Sequence, residues 1–517
     1  MSSATTQRGS RVTVTEPKTP KPREAPKRPR RERKESGFVA FRTALTAWLS
    51  RPLASFHLVL ALTGVLTVIG AVMVLSASSV ASYNPKTGSG VYSLFIKHLV
   101  FVAIGAVVFW VGLRIKLERI RAMSATATVV CLGLLVLVLT PLGSTVNGSQ
   151  GWFKLGDFTF QPVEAAKVAL AFWGAHILVI KYNVIHQWRH LLVPVVPIAL
   201  LMFALVMLQP DLGGTVTLAV VLLALLWFAG APKRLFGVIL AGGLAGVLVL
   251  AVIAPYRLDR VMSFLSPDAD TTAEGFQANQ AKLALADGGF FGKGLGQGAS
   301  NWGYLPNVQN DFIFALIGEE LGLIGCVVVL ALFAGVAIVG LRIATRNIDP
   351  WIRIVAGTLT VFLVAQAGIN IGYVVGLLPV TGVTLPLISY GGTSLVITML
   401  IMGVLANAAR HEPEAVAALR TQGPGKFGRL LRLPAPDPYR PPATRKGAAR
   451  SGAKAARPAP RAARAAPAQE RRRSVREPVR RSAARTSTTR TSTARGGAAR
   501  TTASRGTRST ANRRGHW

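Results

Sequence analysis

Ten apolar stretches, each about the length needed to cross ~30 Å of hydrocarbon, leave this chain few folds to choose from. They fall near 53–78, 94–113, 122–141, 161–180, 191–209, 213–230, 235–254, 312–341, 352–377 and 393–409. The bilayer core holds no water, so a spanning segment must satisfy its own backbone, and runs of this length do so as helices. The expected fold class is an all-α polytopic membrane protein with about ten transmembrane helices. The fifth and sixth stretches are parted only by Gln209-Pro210-Asp211-Leu212-Gly213. Such a Pro/Gly break reads as a tight external turn or a helical re-entry.

Charge then sets orientation and divides the chain. Only 16% of the 517 residues are charged, yet the formal net charge is +37. Residues 1–51 hold 13 Lys/Arg against 4 Asp/Glu, and from Arg410 onward 27 stand against 5. Basicity therefore belongs to the tails. Alternate short connections of the core carry Arg114, Lys116, Arg119 and Arg121, then Lys181 and Arg189, then Lys233 and Arg234, then Arg342, Arg346 and Arg353. Placing these loops and both tails in the cytoplasm satisfies the positive-inside rule and requires an even number of spans. Residues 255–310, between helices 7 and 8, form a large external loop too long to be a mere connector.

Three regions follow: a basic tail over 1–51, a membrane core over 52–411, and a second tail over 412–517. The tails are rich in Arg, Ala, Pro, Ser and Thr, cannot bury a core, and are expected to be disordered. They suit anionic lipid headgroups or acidic cytoplasmic proteins. Nucleic acid is excluded as a partner because no aromatic residues interleave with the arginines to stack bases. The first residues lack the apolar region of a cleavable signal, so the first stretch reads as an uncleaved anchor. Cys131 and Cys326 lie in apolar runs and read as buried thiols rather than a disulfide or metal ligands.

Several polar groups interrupt this apolar plan. Asp311 stands where a polar loop meets an apolar helix, and Glu319 and Glu320 follow ~12–14 Å deeper at about 1.5 Å per residue. Membrane-embedded carboxylates are costly and usually face a cavity. Asp311 reads either as a chemical site or as a carboxylate that caps its helix. Glu319 and Glu320 are too far from it to form a close dyad and suit interior hydrogen bonding. Gln161-Pro162-Val163-Glu164-Ala165-Ala166-Lys167 opens a helix with Pro in its first turn. Glu164 and Lys167, three apart, share a face, either as a structural ion pair or as the wall of a polar pocket. Asp211 could cap the next helix or line the external vestibule. The loop Gly288–Gly298 is no Walker motif, since Gly294 follows Lys293 where Ser or Thr is needed. Its N–H groups and Lys293 could contact a diphosphate, or the stretch is a plain flexible turn. Two prolines and three glycines between Leu378 and Gly392 forbid regular helix, which argues that this segment lines a cavity.

Taken together, these landmarks resemble the SEDS family (shape, elongation, division and sporulation) over about 52–411. The resemblance is carried by the run at 161–167, Gln209–Gly213, Tyr256-Arg257 with Arg260, Phe264-Leu265 and Pro267, Gly275-Phe276-Gln277, Tyr304-Leu305-Pro306, Asp311–Gly322 and Leu385–Ser394. The chain looks more like the division-type than the elongation-type branch, and its long basic tails look actinobacterial. Family members commonly have Arg where Gly151 precedes Trp152, and an acidic or amide residue where Ser266 stands. A His-Thr or His-Asn pair often precedes their aspartate; here it is Gln309-Asn310.

The resemblance implies a glycosyltransferase that polymerises lipid II at the outer membrane face, with Asp311 as catalytic general base. It implies substrate contacts from Gln161, Glu164, Lys167, Asp211, Gln277, Lys293, Ser389 and Tyr390, and cavity or structural roles for Trp152, Glu319 and Glu320. No covalent cofactor is expected. No metal-ligand cluster is visible, and a divalent cation (Mg or Mn) would be shared with substrate phosphates. The implied partners are a class B penicillin-binding protein transpeptidase and, through the tails, cytoplasmic division proteins or anionic lipid. The implied site is the cytoplasmic membrane at the division septum. The alternatives are a lipid II translocator and a division scaffold that holds the transpeptidase.

Overall fold

A computed structural model describes residues 50–81, 92–146, 148–156, 158–181, 192–253, 273–302 and 308–439, with isolated positions 9 and 43. Tyr256, Arg257, Arg260, Phe264–Pro267 and Tyr304–Pro306 lie outside the described residues, as do 1–8 and 440–517.

The helices are α1 (Ala54–Ala81), α2 (Ser93–Arg114), α3 (Leu117–Leu137), α4 (Pro162–Ile180), α5 (Val195–Leu208), α6 (Leu212–Phe228) and α7 (Lys233–Ile253). They continue as α8 (Ala273–Asp287), α9 (Ile313–Arg346), α10 (Pro350–Val374), α11 (Gly392–Arg410), α12 (Pro413–Thr421) and α13 (Gly425–Leu430). Among the described residues seven helices, α1–α4 and α9–α11, are long and apolar enough to cross a membrane. Helices α5 and α6 are apolar but shorter. The chain is a mostly helical polytopic membrane protein.

Proline at the first helical position starts both α4 and α10, where its missing N–H is no loss. Asp349 caps α10 by accepting from the Trp351 N–H at 2.8 Å. Helices α4, α10 and α11 form the centre, burying 72%, 67% and 78% of their spanning stretches against 11% for α2. Helix α2 packs along α11 through small residues: Gly105 lies on Met399, Gly112 on Leu400 and Gly403 on the Phe109 backbone. Asn407 fastens the same pair by donating to the carbonyls of Gly112 at 3.0 Å and Ile115 at 2.8 Å.

Three expectations need correction. The fold is not purely α: β1 (Ser144–Val146), β2 (Ser149–Leu155) and β3 (Phe158–Phe160) form a small antiparallel sheet in the order β1-β2-β3. Phe153 pairs with Phe160 and Lys154 with Thr159, and β3 leads straight into α4. Arg119, Arg121, Arg342, Arg346 and Arg353 lie inside the terminal turns of helices rather than between them. Hydropathy marks the hydrocarbon zone, and a helix continues past it wherever its charged turns reach water. The C-terminal tail also begins later than 412, because α12 and α13 fold back against the bundle. Arg410 donates to the Pro434 carbonyl at 2.6 Å, Arg346 pairs with Glu412 and Glu414, and Leu433 is buried.

Candidate active site

Asp311 sits just outside the first turn of α9, partly exposed. The residue at the helix N-cap is Phe312, and no side chain caps that end. Asp311 is therefore not spent on capping. Its main chain is what the protein holds: Asn370 Nδ2 and the Tyr373 hydroxyl donate to the Asp311 carbonyl at 2.9 and 2.8 Å. Among the described residues no hydrogen bond reaches its carboxylate, and burial pushes that carboxyl up to about 6.

The irregular segment before α11 closes over this corner. Asn370 also donates to the Val383 carbonyl at 2.7 Å, and the single Tyr373 hydroxyl hydrogen is shared between that carbonyl, at 2.7 Å, and the one of Asp311. Gln366, on the same face of α10, donates to the Thr384 carbonyl at 3.0 Å. Residues 381–383 thus run beside Asp311, with Gly382 facing its Oδ2. The Tyr390 N–H donates to the Gln309 carbonyl at 2.9 Å, two residues from the aspartate. Ser389 is buried, and its hydroxyl accepts from the Leu385 N–H at 2.9 Å, bracing the turn from within.

A second polar group gathers where α4 and α6 meet. Lys167 is buried, donates to Glu164 at 2.8 Å and Thr217 at 3.4 Å, and stands over the Phe362 ring. Asp211 caps α6 through the Gly214 N–H at 2.7 Å, as one of its two expected roles required. Its other oxygen accepts from Gln161 Nε2 at 3.3 Å. Burial pushes the Asp211 carboxyl up, against the opposing pulls of the Gly214 N–H and Lys167. Thr393 joins the group by accepting from the Gln161 N–H and donating to the Thr159 carbonyl. Only glycine fits at 213, because a β-carbon there would strike the Thr381 carbonyl. That close approach seats the start of α6, just after Asp211, on the segment that also runs beside Asp311.

Glu319 and Glu320 serve a different structure. Glu319 accepts from the N–H groups of Ala299 at 2.6 Å and Ser300 at 3.3 Å. Glu320 Oε1 accepts from the Ser76 hydroxyl at 2.6 Å and the Gly296 N–H at 3.1 Å. The Lys293 and Gly294 N–H groups donate to the Glu319 and Glu320 carbonyls. The glycine stretch thus docks on a break in α9 at Gly322, whose φ of 67° suits glycine. The Lys293 ammonium pairs with Asp287. Gln277 lies on α8, which packs on α9 and α10. Trp152 lies on β2 opposite Ser144, whose hydroxyl donates to the Trp152 carbonyl at 3.0 Å.

Sequence reading missed Asn370, Tyr373, Gln366, Thr217 and Thr393. Asn370 and Tyr373 carry the signal that singled out Glu164 and Lys167: polar side chains three apart on an apolar helix.

A family model covering FtsW, RodA and SpoVE, described as cell cycle protein, matches residues 56–414. This chain belongs to that family. Two relatives named probable peptidoglycan glycosyltransferase FtsW, from Mycobacterium tuberculosis and Mycobacterium bovis, are each 49% identical to it over 412 residues, covering 80% of this chain and 78% of theirs. The FtsW/RodA/SpoVE likeness extends to stage V sporulation protein E of Bacillus subtilis, 38% identical over 355 residues, 68% of this chain and 96% of that protein. A solved chain described under structural coordination of polymerization and crosslinking by a peptidoglycan synthase complex aligns with TM-score 0.57 and 25% identity. It covers 71% of this chain and 99% of its own length. The Thermus thermophilus rod shape determining protein RodA shares the fold at TM-score 0.50 and 24% identity, with 71% and 99% coverage.

Proposed function

We propose that this member of the FtsW/RodA/SpoVE family is a peptidoglycan glycosyltransferase of the division type, polymerising lipid II at the outer face of the cytoplasmic membrane. Relatives named for that activity support it. The observation that carries the mechanism is the Asp311 carboxylate, clamped by its main chain and, among the described residues, without a hydrogen bond at its oxygens. A base whose pKa lies near the working pH is mostly ionised and still able to take a proton.

In this reading the acceptor sugar's hydroxyl gives its proton to Asp311 as its oxygen attacks the donor's anomeric carbon. The bond from that carbon to undecaprenyl diphosphate breaks, and direct displacement inverts the centre. Diphosphate departs as a stable anion, so a second carboxylic acid is not required, unlike in the glycosidases. Lys167, fixed by Glu164, offsets diphosphate charge, with Gln161 and Asp211 on the same polar wall. Tyr390 and Ser389 shape the segment between that wall and Asp311. Gln277 and Lys293 are proposed as outer contacts of the substrate headgroup. Among the described residues no three His, Cys, Asp or Glu converge to hold a metal. A divalent cation, if used, would arrive on the substrate diphosphate and be shared with its oxygens. The described synthase complex supports a crosslinking partner, proposed to be a class B penicillin-binding protein, with the basic tails placing the pair at the septum.

Reconstitution with lipid II, with and without the transpeptidase, tests this reading. Asp311→Asn, folded and expressed normally, is expected to lose at least about a hundredfold in polymer formation. Unchanged polymerisation would remove Asp311 as the base. Passage of lipid II across vesicles, with no polymer under any partner condition, would favour a translocator instead.

A further inference from the structure

The segment after the last span has two exposed faces that the glycosyltransferase reading does not use. Phe427 and Leu430 are 53% and 77% exposed. Lys426, Arg429 and Arg432 surround them and are exposed as well. No acid occurs between Ala415 and Pro436. The neighbouring acids pair with cations of the same chain: Glu412 and Glu414 with Arg346, and the exposed Asp437 with the exposed Lys116.

This patch is fixed at the end of two spanning helices. Trp110, in the last turn of α2, donates from Nε1 to the Leu431 carbonyl at 3.1 Å. Arg114 lies over the same indole at 4.9 Å, a Trp/Arg pairing suited to the level where a helix leaves hydrocarbon. The Phe427 ring packs edge-on against His57 at 5.7 Å. His57 begins an exposed stripe on α1 that continues through Val65, Val68 and Val72, and α2 exposes Val107 and Val111 beside it. Phe427 therefore prolongs the lipid-facing surface of the bundle beyond the helix ends.

We infer that residues 425–432 form a membrane-surface anchor, with Phe427 and Leu430 at the acyl boundary and Lys426, Arg429 and Arg432 on anionic phospholipid headgroups. An apolar pair flanked by cations matches the chemistry of an interfacial helix. Each such cation near an anionic surface contributes roughly 1 kcal/mol, or about a fivefold change in an equilibrium.

The test is amide hydrogen exchange of the full chain in nanodiscs of phosphatidylcholine alone or with phosphatidylglycerol. Exchange over 425–432 should be at least about fivefold slower in the anionic discs, and raised salt should reverse the gain. The variant K426Q/R429Q/R432Q should lose the lipid difference while the rest of the chain keeps its pattern. Phe427→Ser with Leu430→Ser should speed exchange there in both discs. Equal exchange in the two lipids, or a lipid difference that survives charge removal, overturns the anchor. Protection that appears only with added cytoplasmic division proteins would overturn it in favour of a protein partner. Polymer formation is a separate readout, so either idea can fail alone.

Discussion

Tyr373 is tied to Asp311 through main chain alone: its hydroxyl donates to the Asp311 carbonyl at 2.8 Å and leaves the carboxylate untouched. Asn370 makes the parallel bond at 2.9 Å, and both also hold Val383. The pair acts as a positioning clamp. Tyr373→Phe removes the one hydroxyl hydrogen that the two carbonyls share, so about 0.5–1.5 kcal/mol of stability should be lost. Polymerisation should fall roughly three- to tenfold, well short of Asp311→Asn. Asn370→Ala should cost more, because its buried amide serves both carbonyls together with the phenol. Rates beside thermal unfolding in detergent check this order.

Asp311 also fixes a pH dependence. Its carboxyl lies up to about 6 against an ordinary 3.8, with burial as the cause. A general base works ionised, so polymer formation should rise as pH passes upward through about 6 and flatten above it. The sign for folding is opposite. A raised carboxyl means the folded state binds the proton more tightly, so this group's stabilisation is full below 3.8 and lost as pH rises through about 6. Asp311→Asn should abolish both trends.

Lys167 and Glu164 form a buried ion pair. Removing only the lysine, as Lys167→Met, strands a carboxylate and should destabilise by about 3–5 kcal/mol. Replacing both, as Glu164→Leu with Lys167→Met, should restore most of that loss, since apolar pairs of similar volume often do as well. If Lys167 meets diphosphate, the restored double variant will still polymerise slowly at limiting lipid II. Normal activity there would reduce the pair to scaffolding.

Glu320 is expected to matter for order rather than chemistry. Glu320→Ala removes the carboxylate that gathers the Ser76 hydroxyl and the Gly296 N–H, while Gly296 keeps the Ser76 oxygen at 3.0 Å, so the cost should be about 0.5–1.5 kcal/mol. Hydrogen exchange should quicken across 288–298, while Lys167 and Asp211 keep their environment. Unaltered exchange in that loop would contradict the staple.

What could be read from the chain depended on whether the signal was local. Long apolar runs located the spans, and the i, i+3 spacing paired Glu164 with Lys167. Leu117 starts α3 five residues before the apolar run, because Glu118, Arg119 and Arg121 keep helical backbone while leaving hydrocarbon. Strands β1–β3 escaped notice because they are short, two of them only three residues long, too brief for a period of two to show. Asp311 was legible as a costly carboxylate, but whether it capped a helix was not. That answer depends on Phe312 taking the N-cap position and on Asn370 and Tyr373 arriving from another helix. The fold of 413–433 also depended on distant partners, Arg346 and Trp110, invisible to composition.

The glycine joint at 322 has a mechanical result. Helix α9 is not one rod but a short outer piece, rooted beside Asp311, and a long inner shaft that runs to Arg346. The 288–298 loop bridges that bend: its Lys293 and Gly294 N–H groups hold the outer piece, and its Gly289 and Phe290 carbonyls accept from Leu323 and Ile324 at the start of the shaft. The loop is therefore the brace that sets the angle at which the outer piece meets the rest of the helix.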